Sequence, residues 1–130
     1  MKGETLRQRP DFEAFVLGLP AATLVRQWGD ASVGKLGGKV FCLLVPASGE
    51  IWLKVSDMAF EMMRDEPGIR PAPYFARAGW VAIAPQSRLS DDELRAYIGQ
   101  AHILVGRRLT GKQRAALGLE AFGAERAGGR

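Results

Sequence analysis

"TLVRQWGDASVGKLGGKVFCLLVPASGEIWLKV", residues 23–55, decides the fold. Short β-prone runs alternate there with Gly29-Asp30, with Gly37-Gly38 and with "PASG". Two-residue links of this kind supply the positive φ that tight hairpin turns require, so the segment predicts a four-strand antiparallel meander. In "IWLKV" the period of two puts Ile51, Leu53 and Val55 on one face and Trp52 with Lys54 on the other. The first of these is the core face. "VFCLLV" is apolar at every position. Either that central strand is covered on both sides, or Phe41 and Leu43 form an apolar patch beside Trp52.

Helical spacing flanks the meander. Pro10 and Asp11 precede Phe12, Phe15, Val16 and Leu19, which predicts a short first helix closed by Pro20. After Ser56 and Asp57, "MAFEMMRDE" predicts a second helix with Met58, Ala59, Met62 and Met63 as its buried stripe and Glu61, Arg64 and Asp65 on the wet side. Pro67-Gly68 stops it. "WVAIA", residues 80–84, reads as a fifth strand, and Ser90 with Glu93 has capping-box spacing. Leu94, Tyr97, Ile98, Ala101, Leu104 and Val105 then carry the longest helix to about Arg108, followed by a short helical piece and a glycine-rich end. The expected fold is α+β, an antiparallel sheet meander packed on one face against the N- and C-terminal helices. Residues 11–117 form the expected single domain, with 1–10 and 118–130 as flexible termini.

A chain of 130 residues, 47% apolar and 25% charged, suits one ordinary globular domain. No apolar run approaches the roughly 20 residues needed to cross a bilayer, and "MKGETLRQRPDF" lacks the apolar centre of a signal peptide. The expectation is a cytoplasmic protein with no membrane contact. From Arg107 to Arg130 the basic residues Arg107, Arg108, Lys112, Arg114, Arg126 and Arg130 face only Glu120 and Glu125, so the whole formal charge of +4 resides in that stretch. A neutral body with a basic C-terminal segment can meet phosphates through that segment, or can simply carry a solvated tail.

The residue types that carry catalysis are scattered. Cys42 lies inside an apolar run and reads as a small buried hydrophobe. His102, the single histidine, sits near the apolar side of the last helix without Cys or carboxylate at ligand spacing, and reads as a packing residue. Asp91, Asp92 and Glu93 stand at a helix start, where carboxylates complement the macrodipole. No glycine-rich phosphate loop precedes a helix, and no Ser or Cys nucleophile has a base. A non-catalytic protein without metal or cofactor is expected.

Five segments, "GKVFCLL", "IWLKVS", "PGIRPAPYFARAGWVAI", "LSDDELRAYIGQAHILV" and "LTGKQRAAL", follow one another in an order that resembles the MmcQ/YjbR family. The resemblance runs from about Asp11 to about Leu117. It implies a double-wing, frataxin-like α+β fold, and a small bacterial protein described as DNA-binding. Pro67, Gly68, Tyr74, Arg77 and Trp80 match that family's loop, Lys39 its lysine after the hairpin glycine, and Lys54 its strand lysine. Two departures stand out: "FARAG" leaves Arg77 as the one fixed charge between Tyr74 and Trp80, and Ala101-His102 replaces a frequent Ser-Tyr.

The prolines at 67, 71 and 73 restrict φ and hold their predecessors extended, so the loop from Pro67 can be ordered without a hydrogen-bonded ladder. It would then present Arg70, Tyr74, Arg77 and Trp80 in a constant arrangement, with guanidinium groups suited to phosphate oxygens and aromatic faces suited to bases. The alternative reading pairs the arginines with Glu61, Asp65 or Glu66 and uses the aromatics as packing. The expected nucleic-acid contacts are these four residues with Lys39, Lys54, Arg107, Arg108, Lys112 and Arg114. The expected partner is DNA, bound weakly and without sequence preference; the alternative is a protein or small ligand at an apolar aromatic patch of the sheet.

Overall fold

The computed structural model describes residues 5–73 and 78–122. Helix α1 (Arg9–Leu17) leads into strands β1 (Thr23–Gln27), β2 (Ala31–Leu36), β3 (Lys39–Val45) and β4 (Glu50–Lys54). Helix α2 (Asp57–Met63), strands β5 (Ile69–Pro71) and β6 (Trp80–Ile83), and helices α3 (Asp91–Arg108) and α4 (Gly111–Ala116) follow. All six strands form one antiparallel sheet in the order β1-β2-β3-β4-β6-β5. The expected meander is present, and the α+β reading holds.

The turns are set by backbone angle. Gly37 and Gly38, with φ of 59° and 82°, link the paired residues Leu36 and Lys39 as a two-residue hairpin. The first hairpin differs from expectation. Gln27 pairs with Ala31, so its loop has three residues, Trp28, Gly29 and Asp30, all at positive φ. Arg9 clamps that loop: its Nη2 donates to Asp30 Oδ2 at 2.8 Å and to the Asp30 carbonyl at 2.6 Å.

A bulge decides how the apolar third strand divides its side chains. Gly34 pairs with Cys42 but Lys35 pairs with Val40, which leaves Phe41 as the extra residue. Phe41 and Cys42 therefore both enter the helix-covered core, each 0% exposed, while Val40 turns to the opposite face. Of the alternative patch of Phe41 and Leu43 beside Trp52, only Leu43 stands next to Trp52, its cross-strand partner on the second face. Gly34 makes room for the bulge, because a Cβ there would stand 3.3 Å from Phe41 Cζ and 3.0 Å from Val16 Cγ1.

On the main face α1 packs on β1 and β2, α3 on β2, β3 and β4, and α2 on β5 and β6. Phe12, Val16, Leu44, Ile51, Leu53, Ile83, Leu94 and Ile98 meet there. Two helices were expected on this face and three are found. Within α2 the stripe also shifts. Met63 is buried and Ala59 packs against the core as expected, but Met58 and Met62 are 74% and 70% exposed, and Phe60 packs in their place. Arg64 lies over the Phe60 ring, 5.2 Å from its centre. The second face buries a smaller cluster of Ala31, Val33, Leu43, Ala72, Trp80 and Ala82, with Val40, Val45 and Trp52 partly buried against it. The central strand is thus covered on both sides, as one of the two readings required.

Packing extends past both sequence-derived boundaries. Leu6 is 1% exposed and its amide donates to Asp91 at 3.1 Å, so the body begins upstream of residue 11. Arg7 reaches the Ala84 carbonyl at 2.9 Å. Downstream of residue 117, Leu119 is 3% exposed and the Phe122 ring stands edge-on to His102. Residues 1–4 and 123–130 lie outside the described residues.

Candidate nucleic-acid interface

The expected loop is in part a strand. Ile69, Arg70 and Pro71 pair with Ile83, Ala82 and Val81 at the sheet edge, where the missing N–H of Pro71 costs no ladder bond. Arg70 Nη2 donates to both Glu50 oxygens at 3.0 Å. Among the described residues, Glu61, Asp65 and Glu66, the alternative partners, form no ion pair with Arg70. Glu50 also accepts from Trp52 Nε1 at 3.0 Å, so one carboxylate fixes an arginine and an indole on the second face. Tyr74 and Arg77 lie outside the described residues. Trp80 is 5% exposed and belongs to the second-face cluster, so its ring surface is occupied by protein.

The remaining cations gather at one end of the sheet. The Gly37-Gly38 turn abuts the end of α3, since a Cβ on Gly37 would come within 2.8 Å of Leu109 Cδ2. Lys39 leaves that turn, Arg107 and Arg108 precede Leu109, and Lys112 and Arg114 lie in α4 just beyond it. Lys54 ends β4 at the same side, and the charge of Arg108 is felt there.

These six residues are not equivalent. Lys54 is buried, its Nζ donates to the Ala78 carbonyl, and burial first and the nearby Arg108 second hold its pKa below the ordinary lysine value. Arg114 folds back on the end of α3, donating to the Arg107 carbonyl at 3.2 Å and to the Leu109 carbonyl, so it caps helix carbonyls that would otherwise lack donors. Arg107 is half-buried. Lys39, Arg108 and Lys112 are exposed. Ion pairs between described residues join Arg9 to Asp30, Arg26 to Glu13, Arg70 to Glu50 and Arg95 to Asp92, and none draws on those three cations.

The residues screened for catalysis have packing roles. Asp91 accepts from the Leu6 amide and from Thr5 Oγ1, tying the N-terminal segment to α3. Ser90 and Glu93 form the expected capping box. Cys42 is fully buried, which pushes its thiol far above the ordinary value. His102 is 2% exposed, contacts the Pro20 carbonyl through Nε2 at 2.7 Å, and stands edge-on to Phe41 and Phe122.

Burial lowers the pKa of His102 from the ordinary 6.5, outweighing the carbonyl contact that raises it. The unfolded chain then binds the proton more readily than the folded one. Stability contributed by neutral His102 is present above about pH 6.5 and is lost as pH falls from there toward the folded pKa. Thermal melts between pH 7.5 and about 5 should show this decline, and His102→Leu should flatten it; an unchanged slope in that variant would assign the decline to other groups.

Among the described residues, no helix is long and apolar enough to cross a membrane. The comparison with curated proteins gives no match. Solved structures share the fold, two of them as follows. A Deinococcus radiodurans protein, DR2400, described with the domain DUF419, superposes with a TM-score of 0.77 at 22% identity, covering 90% of this chain and 93% of its own. A Pseudomonas syringae protein superposes with a TM-score of 0.59 at 22% identity, covering 72% of this chain and 95% of its own. The family model YjbR matches residues 17–104, a span that runs from the end of α1 through most of α3 and takes in the whole sheet. With that match over most of its length, the chain belongs to the YjbR family.

Proposed function

We propose that this protein is a non-catalytic module that binds the phosphate backbone of nucleic acid weakly, with little sequence preference, through Lys39, Arg108 and Lys112. The observation that supports this reading is the contrast among the cations: four arginines are engaged by carboxylates, whereas these three are exposed at one end of the fold without a carboxylate partner among the described residues. Arg70, the first candidate in the loop, is held by Glu50 and serves the sheet edge. A phosphate would have to displace Glu50 from the Arg70 Nη2 that both of its oxygens share.

Three phosphate contacts imply a low affinity, at the weak end of the 10⁻⁴ to 10⁻⁶ M typical of non-specific electrostatic binding. Fluorescence anisotropy with random duplex and single-stranded DNA across a salt series tests this. Lys39→Ala/Arg108→Ala/Lys112→Ala should weaken binding to all sequences alike and flatten the logarithmic salt slope by about 2 to 3 units, one per lost contact. Arg70→Ala should leave both quantities unchanged. No binding at low salt, or equal binding by the triple variant, sinks the proposal. Binding that tolerates salt would point instead to a protein or small-ligand partner.

A further inference from the structure

A cavity of about 240 Å³ lies where α2, the turn into β5 and the start of α3 come together. Met63 and Ile69, both core residues, line it with Leu89 and Tyr97, which pack against the core, and with Met62, which α2 leaves exposed. Two opposite charges complete the lining, Glu66 and Arg88. Both residues are exposed, and neither side chain has an ion pair or hydrogen bond among the described residues.

The backbones that carry these two charges are fixed. The Glu66 amide donates to the Met63 carbonyl at 3.0 Å, and the Glu66 carbonyl accepts from the Ile69 amide at 2.9 Å. Arg88 follows Ser87, whose amide donates to the Ala84 carbonyl at 3.0 Å and whose hydroxyl accepts from Arg7 and from the Leu89 amide. Gly68 lies so close to Ser87 that an added Cβ would stand 2.7 Å from its backbone. The two turns therefore meet, and the cavity carries an acid and a base on a preformed frame.

We propose that this cavity binds one free amino acid with an apolar side chain. Arg88 takes its carboxylate, Glu66 takes its ammonium group, and the side chain lies among Met62, Met63, Ile69 and Leu89. Charge complementarity selects this occupant. A fatty or aromatic carboxylate would set its charge beside that of Glu66, and an apolar amine would set its charge beside that of Arg88. A zwitterion satisfies both. The volume is that of about eight waters at about 30 Å³ each, and lies below the roughly 300 Å³ at which sites for drug-sized ligands begin, so it suits one amino acid and not a nucleotide. Methionine side chains adapt to aliphatic groups and make favourable sulfur contacts with aromatic rings, which places phenylalanine and leucine among the expected ligands. Lys39, Arg108 and Lys112 gather at the other end of α3, so the site is separate from the proposed phosphate contacts.

Chemical-shift titration of the full chain with L-phenylalanine and L-leucine, up to about 20 mM, tests the assignment. The expected result is saturable binding with Kd on the order of 10⁻⁴ to 10⁻³ M, with the Met62 and Met63 methyl signals among those that move. Phenethylamine and hydrocinnamate each keep the ring and lose one charge, and each should bind about tenfold more weakly or worse. Arg88→Gln should weaken phenylalanine binding about tenfold and leave that of phenethylamine unchanged or stronger. Glu66→Gln should weaken phenylalanine binding and leave that of hydrocinnamate unchanged or stronger. Retained binding of the single-charge compounds also shows that the variants are folded. The proposal is overturned if neither amino acid binds, if the shifts map away from Met62 and Met63, or if both variants bind phenylalanine as before. It falls equally if either single-charge compound matches phenylalanine. If N-acetyl-phenylalaninamide, which has no charge, binds as tightly as phenylalanine, the cavity takes a peptide side chain and the assignment to a free amino acid is wrong.

Discussion

Phe41→Ala is expected to lower folding stability by about 3 to 5 kcal/mol, the cost of deleting a fully buried aromatic ring. For a domain of this size that is a fall of about 10 to 20 °C in Tm, and a third or more of the total stability of a typical domain. The ring is 0% exposed and lies edge-on to His102 with centroids 5.4 Å apart. It joins α3 to the sheet at the bulge. Urea or thermal unfolding measures the loss, and a fall below about 1 kcal/mol would mean that the bulge does not place the ring in the core. Gly34→Ala provides an independent check, since the added methyl would crowd Phe41 Cζ, Cys42 Sγ and Val16 Cγ1. Removing Phe41 frees one of those three contacts. The two substitutions should therefore be less damaging together than the sum of their separate costs.

The same bulge shows where the sequence was legible and where it stopped being so. Glycine pairs and period-two alternation reveal the meander, because hairpin turns impose a backbone angle that few residues tolerate. Alternation also sorts Ile51, Leu53 and Val55 from Trp52. In "VFCLLV" all six side chains are apolar, so the pattern has no contrast with which to show a register shift, and the bulge that sends Phe41 into the core is invisible. Its one local sign is Gly34, whose meaning depends on a cross-strand neighbour. The three-residue β5 escapes for a different reason. Two of the prolines near it argue against a ladder, yet an edge strand needs donors on only one side, and Pro71 takes the place where none is needed.

The charged residues divide along the same line. Clustering at the end of α3 can be seen in the linear order of Arg107, Arg108, Lys112 and Arg114, but their separate roles depend on carbonyl positions that only the fold creates. Arg114 is a clamp on the end of α3 and Lys54 is a buried donor. Glu50 is the residue the sequence reading missed. Its place two residues before Trp52 puts both on one face of a strand, which was a usable signal for the indole contact, whereas its bond to Arg70 follows from β5 lying beside β6. Contacts between residues 20 apart need the sheet order, and the sheet order places β6 between β4 and β5.

The second large effect is expected at Gly68, at the turn into that edge strand. Its φ of +85° is a region that alanine adopts only with strain of about 1 to 2 kcal/mol. A second penalty adds to this, because a Cβ at 68 would stand 2.7 Å from both the Ser87 Cα and the Ser87 backbone nitrogen. Those atoms are poorly able to move. The Gly68 carbonyl accepts from the Ala84 amide at 2.8 Å, and Arg7 holds the same turn through the Ala84 carbonyl at 2.9 Å and Ser87 Oγ at 3.3 Å. Gly68→Ala should therefore cost about 3 kcal/mol or more, strain and backbone overlap together. Gly38→Ala is the control. Gly38 has nearly the same φ, +82°, but nothing within 4 Å of the added Cβ, so its cost should stay near 1 to 2 kcal/mol. Unfolding midpoints of the two variants compare strain with strain plus contact, and equal losses would show that the Ser87 backbone yields. Amide exchange locates the damage: the Ala84 and Ala72 protons, which bond to Gly68 and Trp80 carbonyls, should exchange faster in Gly68→Ala, while those of the β2–β3 ladder keep their protection relative to global unfolding.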